Sequence, residues 1–246
     1  MPHEQHARQA DNQIRAADIL RPTFKRFLWN SFDHVGLLVA ANMLWLVLCL
    51  PVVTAPAATA GLFHLARGIA EHEPVSIRDF LDGFRGHFLP ALKAGAFSLA
   101  AAFVLWINID FYSHLGGRAS VPGMLLAAAM IWIGGFVLLM HAHMFPLIVT
   151  GERSLRAVLK KSALLTLDNL GFTVGITVQA LSVAALSILT GAGLVLALGS
   201  LVSVLLTTGH RELLKKYFPD SDAAREPDEN RTFRDALRPW EGPKAR

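Results

Sequence analysis

The chain has one cysteine, Cys49, set in an apolar run. One cysteine excludes an intrachain disulfide and any cysteine-based metal cluster. Charge is also missing over long distances. No Asp, Glu, Lys or Arg occurs in Val35 to Ala66, Ala94 to Ile109, Ala119 to Gly151 or Asn169 to His210. Together these stretches make up half of the 246 residues. A soluble domain cannot keep charge out of so much of its length in blocks this long, so the sequence describes an all-α polytopic membrane helix bundle. Phosphate loops, nucleophile elbows and HExxH zinc sites are missing too. No catalytic residue can be assigned, the chain does not read as an enzyme, and no cofactor or metal is expected.

The formal charge of +4 and pI near 9.5 do not imply nucleic acid. Membrane proteins carry excess Lys and Arg in cytoplasmic segments, and no aromatic-basic motif accompanies the charge. The first 34 residues are polar and charged, unlike a secretory signal. No lipidation signal is present at either end.

A spanning helix needs about 20 apolar residues. Val35 to Val53, Ala94 to Tyr112 and Val121 to Val149 each supply one. The last is about 43 Å long at the helical rise, so it must tilt, kink near Pro146 or project from the membrane. Asn169 to His210 is long enough for two passes, with Thr190-Gly191-Ala192-Gly193 as the turn. Ala57 to Ala70 is short and carries His64 and Arg67. Alone it reads equally as re-entrant or interfacial. Counting it gives six crossings and places 22 of the 23 Lys and Arg residues inside, with Arg118 outside. The positive-inside rule favours that topology in the cell membrane, with both termini cytoplasmic. The chain then divides into a cytoplasmic segment (1–34), a six-helix transmembrane domain (35–210) and a charged tail (211–246). In this reading Thr54 caps the short helix and Pro56 sits in its first turn. Pro51 ends the helix before it.

Ile77, Phe80, Leu81, Phe84 and Phe88 share one helical face, and Ser76 with Asp79 forms a capping-box pattern. This describes a helix lying in the inner interface or one packed on its neighbours. Ser154 to Lys161 and the segment around Phe24, Phe27, Leu28 and Trp29 read the same way. Phe32-Asp33-His34-Val35-Gly36 resembles Leu167-Asp168-Asn169-Leu170-Gly171. Ser76-Ile77-Arg78 resembles Ser154-Leu155-Arg156. A threefold repeat of interfacial helix and membrane hairpin would account for both matches. So would chance similarity between apolar segments.

Asn42, Leu44-Trp45 and Leu50-Pro51-Val52-Val53-Thr54-Ala55-Pro56-Ala57, followed by Asp79-Phe80 and Phe84 to Phe88, resemble the YesL-like family of bacterial membrane proteins of unknown function. The resemblance covers residues 24–112. It implies a small multi-helix membrane protein often encoded beside carbohydrate-uptake genes, and it supplies no catalytic residues.

The candidate functional positions are polar or motif residues within the spans. They are Asn42, Trp45, Pro51, Thr54, Pro56 and His64 in the first half, and Asn108, Asp110, His141, His143 and Gln179 in the second. Met140-His141-Ala142-His143-Met144 brings imidazole and thioether together. Positions i and i+2 point about 200° apart on a helix, so one metal cannot take both histidines. Asn42, His64 and Gln179 read as interhelical hydrogen-bonders or as the lining of a solute path. Trp45 and Trp132 lie deep in their spans and are expected to pack on neighbours. Gly171 to Gly175 is a small-xxx-small pattern.

Two functions remain open on these grounds. One is an accessory or assembly component linked to carbohydrate uptake, with sugar-transporter subunits as partners. The other is a self-contained small-solute transporter or channel. The bilayer is the expected partner in both, and a homo-oligomer is compatible with either.

Overall fold

A computed structural model describes residues 2–114 and 121–218. Arg118 and the tail beyond Phe218 lie outside the described residues. The described chain is all-α. The elements are α1 (Pro2–Asp33), α2 (Val35–Cys49), a 3-10 turn (Val52–Thr54), α3 (Ala55–Ala70), α4 (Ile77–Gly86) and α5 (Phe88–His114). They continue with α6 (Val121–Val149), α7 (Leu155–Asp168), α8 (Leu170–Leu189), α9 (Ala192–Leu196) and α10 (Leu198–Tyr217).

Three helices, α5, α6 and α8, are long and apolar enough to cross a membrane. A fourth span arises if α1 and α2, bent by 87°, count as one. The spanning windows of α5, α6 and α8 are only 11%, 17% and 28% buried. Leu99, Trp106, Trp132 and Leu189 are all more than 60% exposed. Water would not tolerate an apolar surface of this extent on a monomer, and hydrocarbon would. The expected packing of Trp132 does not occur: at 81% exposed it is one of these outward side chains.

The first apolar run forms a shorter helix than expected. It stops at Cys49, because Pro51 offers no N–H to extend the ladder and the backbone leaves the helical region at Pro51 itself (ψ 87°). Thr54 does not cap α3, since its side chain makes no cap hydrogen bond there. Its hydroxyl donates backwards instead, to the Leu48 carbonyl and to Pro51 O at 2.9 Å. It thus satisfies the Leu48 carbonyl, which lies in the last turn of α2. Pro56 lies in the first turn of α3.

α3 and α6 end alike. Glu73 N bonds Gly68 O at 3.0 Å, and Glu152 N bonds Leu147 O at 3.2 Å. These six-to-one closures each turn on a left-handed residue two places past the helix, His72 (φ 57°) and Gly151 (φ 110°). Ser76 then caps α4 through a full capping box with Asp79.

Three junctions also share one geometry. His34 (φ −116°, ψ 19°), His87 (φ −109°, ψ 13°) and Asn169 (φ −129°, ψ 47°) each separate a more polar helix from a more apolar one. Each lends its carbonyl to the residue four places on, at 2.9 Å in all three: Leu38, Ala91 and Thr173. Those residues are buried, and so are Ala41, Ala94 and Ile176 three places further. Seven places before each junction, Phe27, Phe80 and Ser162 are buried too.

The packing closes in a ring. α3, α6 and α10 all touch one another. α2 packs on α10, α5 on α3 and α8 on α6. The helices that precede the junctions follow the same direction, with α1 on α8 and α10, α4 on α2 and α3, and α7 on α5 and α6. α4 therefore packs on α3, with Phe80 fully buried and so close to Gly61 that a Cβ there would lie 2.8 Å from the Phe80 carbonyl. Phe80, Ile77 and Leu81 of its apolar face are turned to the main core, while Phe84 and Phe88 stay half-buried. α3 is well covered, with most of its residues buried. The main core joins Leu62, Leu65 and Ile69 of α3 to Ile176 of α8 and to Val204, Leu205 and Leu213 of α10.

Candidate functional site

The strongest concentration of buried polar groups lies where α6, α8 and α10 meet. The junction residue Asn169 and Thr173 and Thr177 of α8 follow at four-residue intervals. α10 contributes Ser200, Ser203, Thr207 and His210 at intervals of three and four. All are buried. Residues spaced this way share a helix face, so two polar stripes run along helices that touch. α6 adds His143, 1% exposed.

His143 Nε2 lies 3.1 Å from Thr173 Oγ1, and His143 Nδ1 lies 3.4 Å from His210 Nδ1. Donor logic assigns the tautomers. The Thr173 hydroxyl donates to Asn169 O at 3.0 Å, so its oxygen accepts from His143 Nε2–H. His143 Nδ1 is then bare and accepts from His210 Nδ1–H. His210 Nε2 is left as a buried acceptor with no hydrogen-bond partner. At the α7–α8 junction the chain of bonds continues. The Asn169 amide donates to the Tyr217 hydroxyl at 2.6 Å and accepts from Lys216 Nζ at 2.8 Å. Tyr217 in turn donates to Asp168. Burial, and then the bond to Asp168, push the Tyr217 phenol above its ordinary pKa. A hydrogen-bonded string thus runs from the α7–α8 junction to a buried imidazole inside the bundle.

The two histidines of the Met140–Met144 segment diverge. His141 faces Ser98 of α5, with Nε2 2.7 Å from its Oγ, and its Nδ1 meets Val137 O at 2.7 Å. No group of three His, Cys, Asp or Glu suited to a metal occurs among the described residues.

Asn42 holds the break in the last hairpin. Its Nδ2 donates to Val195 O at 2.6 Å, and its Oδ1 accepts from Gly199 N at 2.8 Å and Ser200 N at 3.3 Å. The interruption at Ala197 (φ −150°) frees these backbone groups. Trp45 Nε1 donates to Thr59 Oγ1 at 3.2 Å, joining α2 to α3.

His64 lies apart from the string. Its ring centroid is 5.4 Å from that of His87, and it lines a cavity of about 150 Å³ with Arg67, Glu71, Glu73 and Asp79. Burial lowers the His87 pKa below its usual value, and His64, Arg67 and Arg153 add to the effect. Arg67 pairs with Glu71 at 2.9 Å and donates to Val149 O, the last carbonyl of α6, at 2.9 Å. Arg211 of α10 reaches Ala70 O, the last carbonyl of α3, in the same way. Each guanidinium therefore closes a neighbour's C-terminus, where orphan carbonyls and the helix dipole favour a cation.

Asn108 and Asp110 join no site. Asn108 bonds its own helix at Val104 O, and Asp110 faces His114 at 3.8 Å on the exposed end of α5. Gln179 leaves its Oε1 buried without a partner. Gly171 and Gly175 seat α1: a Cβ on Gly175 would fall 2.4 Å from the Leu20 side chain. Sequence reasoning overlooked Thr173, His210, Ser98 and Arg211. The three- and four-residue spacing of Ser, Thr and Asn on α8 and α10 was the signal that could have found the first two.

Residues 38–109 match a family described as "Protein of unknown function, DUF624". No curated protein and no solved structure matches the chain.

Proposed function

We propose that the chain is a six-pass integral protein of the cell membrane, both ends cytoplasmic, acting as a non-catalytic accessory or assembly component of a carbohydrate importer. One observation carries the accessory reading. The middle of the ring, where a solute path would run, is filled by mutual packing of α3, α6 and α10, with Leu62, Leu65, Ile69, Val204 and Leu205 at most 1% exposed. A protein that moved solute alone would need to open this core.

The ring of helices supports the reading of six crossings. α3 and α10 stand to their neighbours as α6 does, and α2 stands as α5 and α8 do. If α5, α6 and α8 traverse the bilayer, the others run beside them. α3 can do so with only sixteen residues because protein covers most of it, and Arg67 reaches the inner surface. The shared junctions, buried registers and helix endings support three parallel units, α1–α3, α4–α6 and α7–α10. The unequal lengths of α4 and α7, 10 and 14 residues, differ by about one helical turn. That turn reconciles the Ser76/Ser154 match with the His87/Asn169 junctions. The carbohydrate connection rests on the family resemblance.

The test is mild crosslinking in native membranes followed by purification. Sugar-importer subunits should be recovered with the full chain. Absence of any importer subunit, in cells actively taking up the sugar, would refute the assignment. A second reading, a self-contained transporter, draws on the buried Thr173–His143–His210 string and the broken α9–α10 pair. Solute flux into liposomes holding only this protein would favour it.

A further inference from the structure

α3 and α5 run side by side and antiparallel. His64 and His87 face each other with ring centroids 5.4 Å apart. Eight residues from each, Gly95 lies against Pro56, so close that a Cβ on the glycine would clash with the proline ring. Pro56 is in the first turn of α3, so Gly95 marks the level at which the α2–α3 hairpin turns round. α5 does not stop there. It runs on to His114, and its charge-free stretch continues fourteen residues past Gly95, to Ile109, about 21 Å at the helical rise. Leu99, Phe103 and Trp106 on that continuation are exposed. α6 returns beside it, with Gly134 against Leu105 and Trp132 exposed. An apolar surface of this extent belongs in hydrocarbon, so the hydrocarbon extends well past the turn of the first hairpin.

The turn itself is made for the same surroundings. From Leu50 to Ala58 the only polar side chain is that of Thr54. Leu50, Val52 and Val53 are 79%, 79% and 66% exposed, whereas Gly, Asn, Asp and Ser dominate ordinary turns alongside Pro. The Thr54 hydroxyl donates to the Leu48 and Pro51 carbonyls. Thr54 N donates to Pro51 O at 2.7 Å and Leu50 N to Val47 O at 3.3 Å, and Ala55 N donates to Val52 O. Closing polar groups internally is what hydrocarbon demands of a chain.

We infer that the α2–α3 hairpin is re-entrant: it turns back inside the bilayer, and acyl chains of the outer leaflet cover residues 50–53. The inference rests on the membrane reading and sharpens it. Both ends stay cytoplasmic, and α2 and α3 keep their places in the ring, but they meet lipid where a full crossing would meet the outer water. Their lengths agree. Fifteen and sixteen residues give about 22 and 24 Å, against a hydrocarbon layer roughly 30 Å thick. A shortfall of this kind draws lipid over the end of a helix. Acyl chains fit the turn because Leu50, Val52 and Val53 present only hydrocarbon, and the one hydroxyl is already engaged.

The experiment uses the full chain with Cys49→Ser, reconstituted in phosphatidylcholine vesicles and carrying one nitroxide spin label at an introduced cysteine. Collisions with oxygen report hydrocarbon, and collisions with a water-soluble nickel chelate report water. Val52→Cys and Val53→Cys should each collide with oxygen and lose nickel access, as Phe103→Cys on α5 does. Ser113→Cys, at the exposed end of α5, should stay open to nickel. Two positions guard against a label that disturbs the turn, since either one in a folded chain gives the answer. Nickel access at Val52→Cys and Val53→Cys equal to that at Ser113→Cys overturns the proposal and leaves six full crossings. Shielding of both from oxygen and nickel alike, the mark of a protein neighbour, overturns it too. Nickel access at Phe103→Cys would remove the membrane reading itself, and the proposal with it.

Discussion

Arg67 on α3 donates to the carbonyl of Val149, the last residue of α6, across 82 positions of sequence. Arg67→Met removes the guanidinium and leaves that carbonyl to water. The side chain is 38% exposed, so the loss is discounted from the full value of a charged hydrogen bond, to about 1 kcal/mol. Thermal unfolding in detergent should register it as a lowered midpoint. Arg67→Lys should recover part of the loss, because one donor remains. Equal stability of Arg67→Met and wild type would show the contact to be idle.

Asn42 is fully buried and makes three bonds to the α9–α10 break. Asn42→Leu strands the Val195 carbonyl and two amides in an apolar setting. Unsatisfied buried groups cost about 1–3 kcal/mol each in the worst case, so a loss of about 3 kcal/mol is expected after relaxation. Hydrogen exchange supplies a local reading: the Gly199 and Ser200 amides should exchange faster, while those of α5 stay protected.

Two glycines provide a matched contrast. A Cβ at Gly83 would lie 2.4 Å from the His64 Cβ, a stiff part of a side chain on the central helix. Gly83→Ala should destabilise by about 1–3 kcal/mol. Gly135 has nothing within 4 Å, and Gly135→Ala should be neutral or stabilising by up to about 1 kcal/mol through helix propensity. The same unfolding assay checks both, and matching losses would refute the close packing of α3 on α4.

His87 makes stability depend on pH in a definite sense. Its folded pKa lies below its ordinary value near 6.5, through burial first and then His64, Arg67 and Arg153. A group whose pKa is depressed on folding contributes stability above its unfolded pKa and loses it as pH falls through the folded one. The unfolding midpoint should therefore decline as pH drops below about 6.5. His87→Gln should flatten that decline. An unchanged profile in the variant would move the effect elsewhere.

Much of the architecture could be read from the residues, because apolar length and missing charge are properties of single segments. The helices at Ala94 to Tyr112 and Val121 to Val149, the Ser76–Asp79 capping box and the two similar entries at His34 and Asn169 all follow from local pattern. Failures came where a neighbour decides. Thr54 has the residue type of a cap, but the Leu48 carbonyl lies nearer. Trp132 resembles Trp45 in sequence depth, yet only Trp45 finds a Thr59 across the interface. His143 stands beside His141 in sequence, while its companions in space, Thr173 and His210, are distant in the chain. Hydropathy cannot reveal such pairings, since Ser and Thr barely disturb an apolar run.

The ring of helices also has a direction in time. α1 and α2 belong to the first part made, but their neighbours are α8 and α10 in the last. Arg26 meets Glu212 at 3.3 Å with both side chains under 10% exposed. Until the ribosome has delivered the final hairpin, α1 lacks its main neighbours and Arg26 lacks Glu212. The nascent protein must wait in the bilayer with one flank open. A chain that ends prematurely never fastens this clasp, so its opening helices stay marked as unfinished to whatever surveys the membrane for incomplete products.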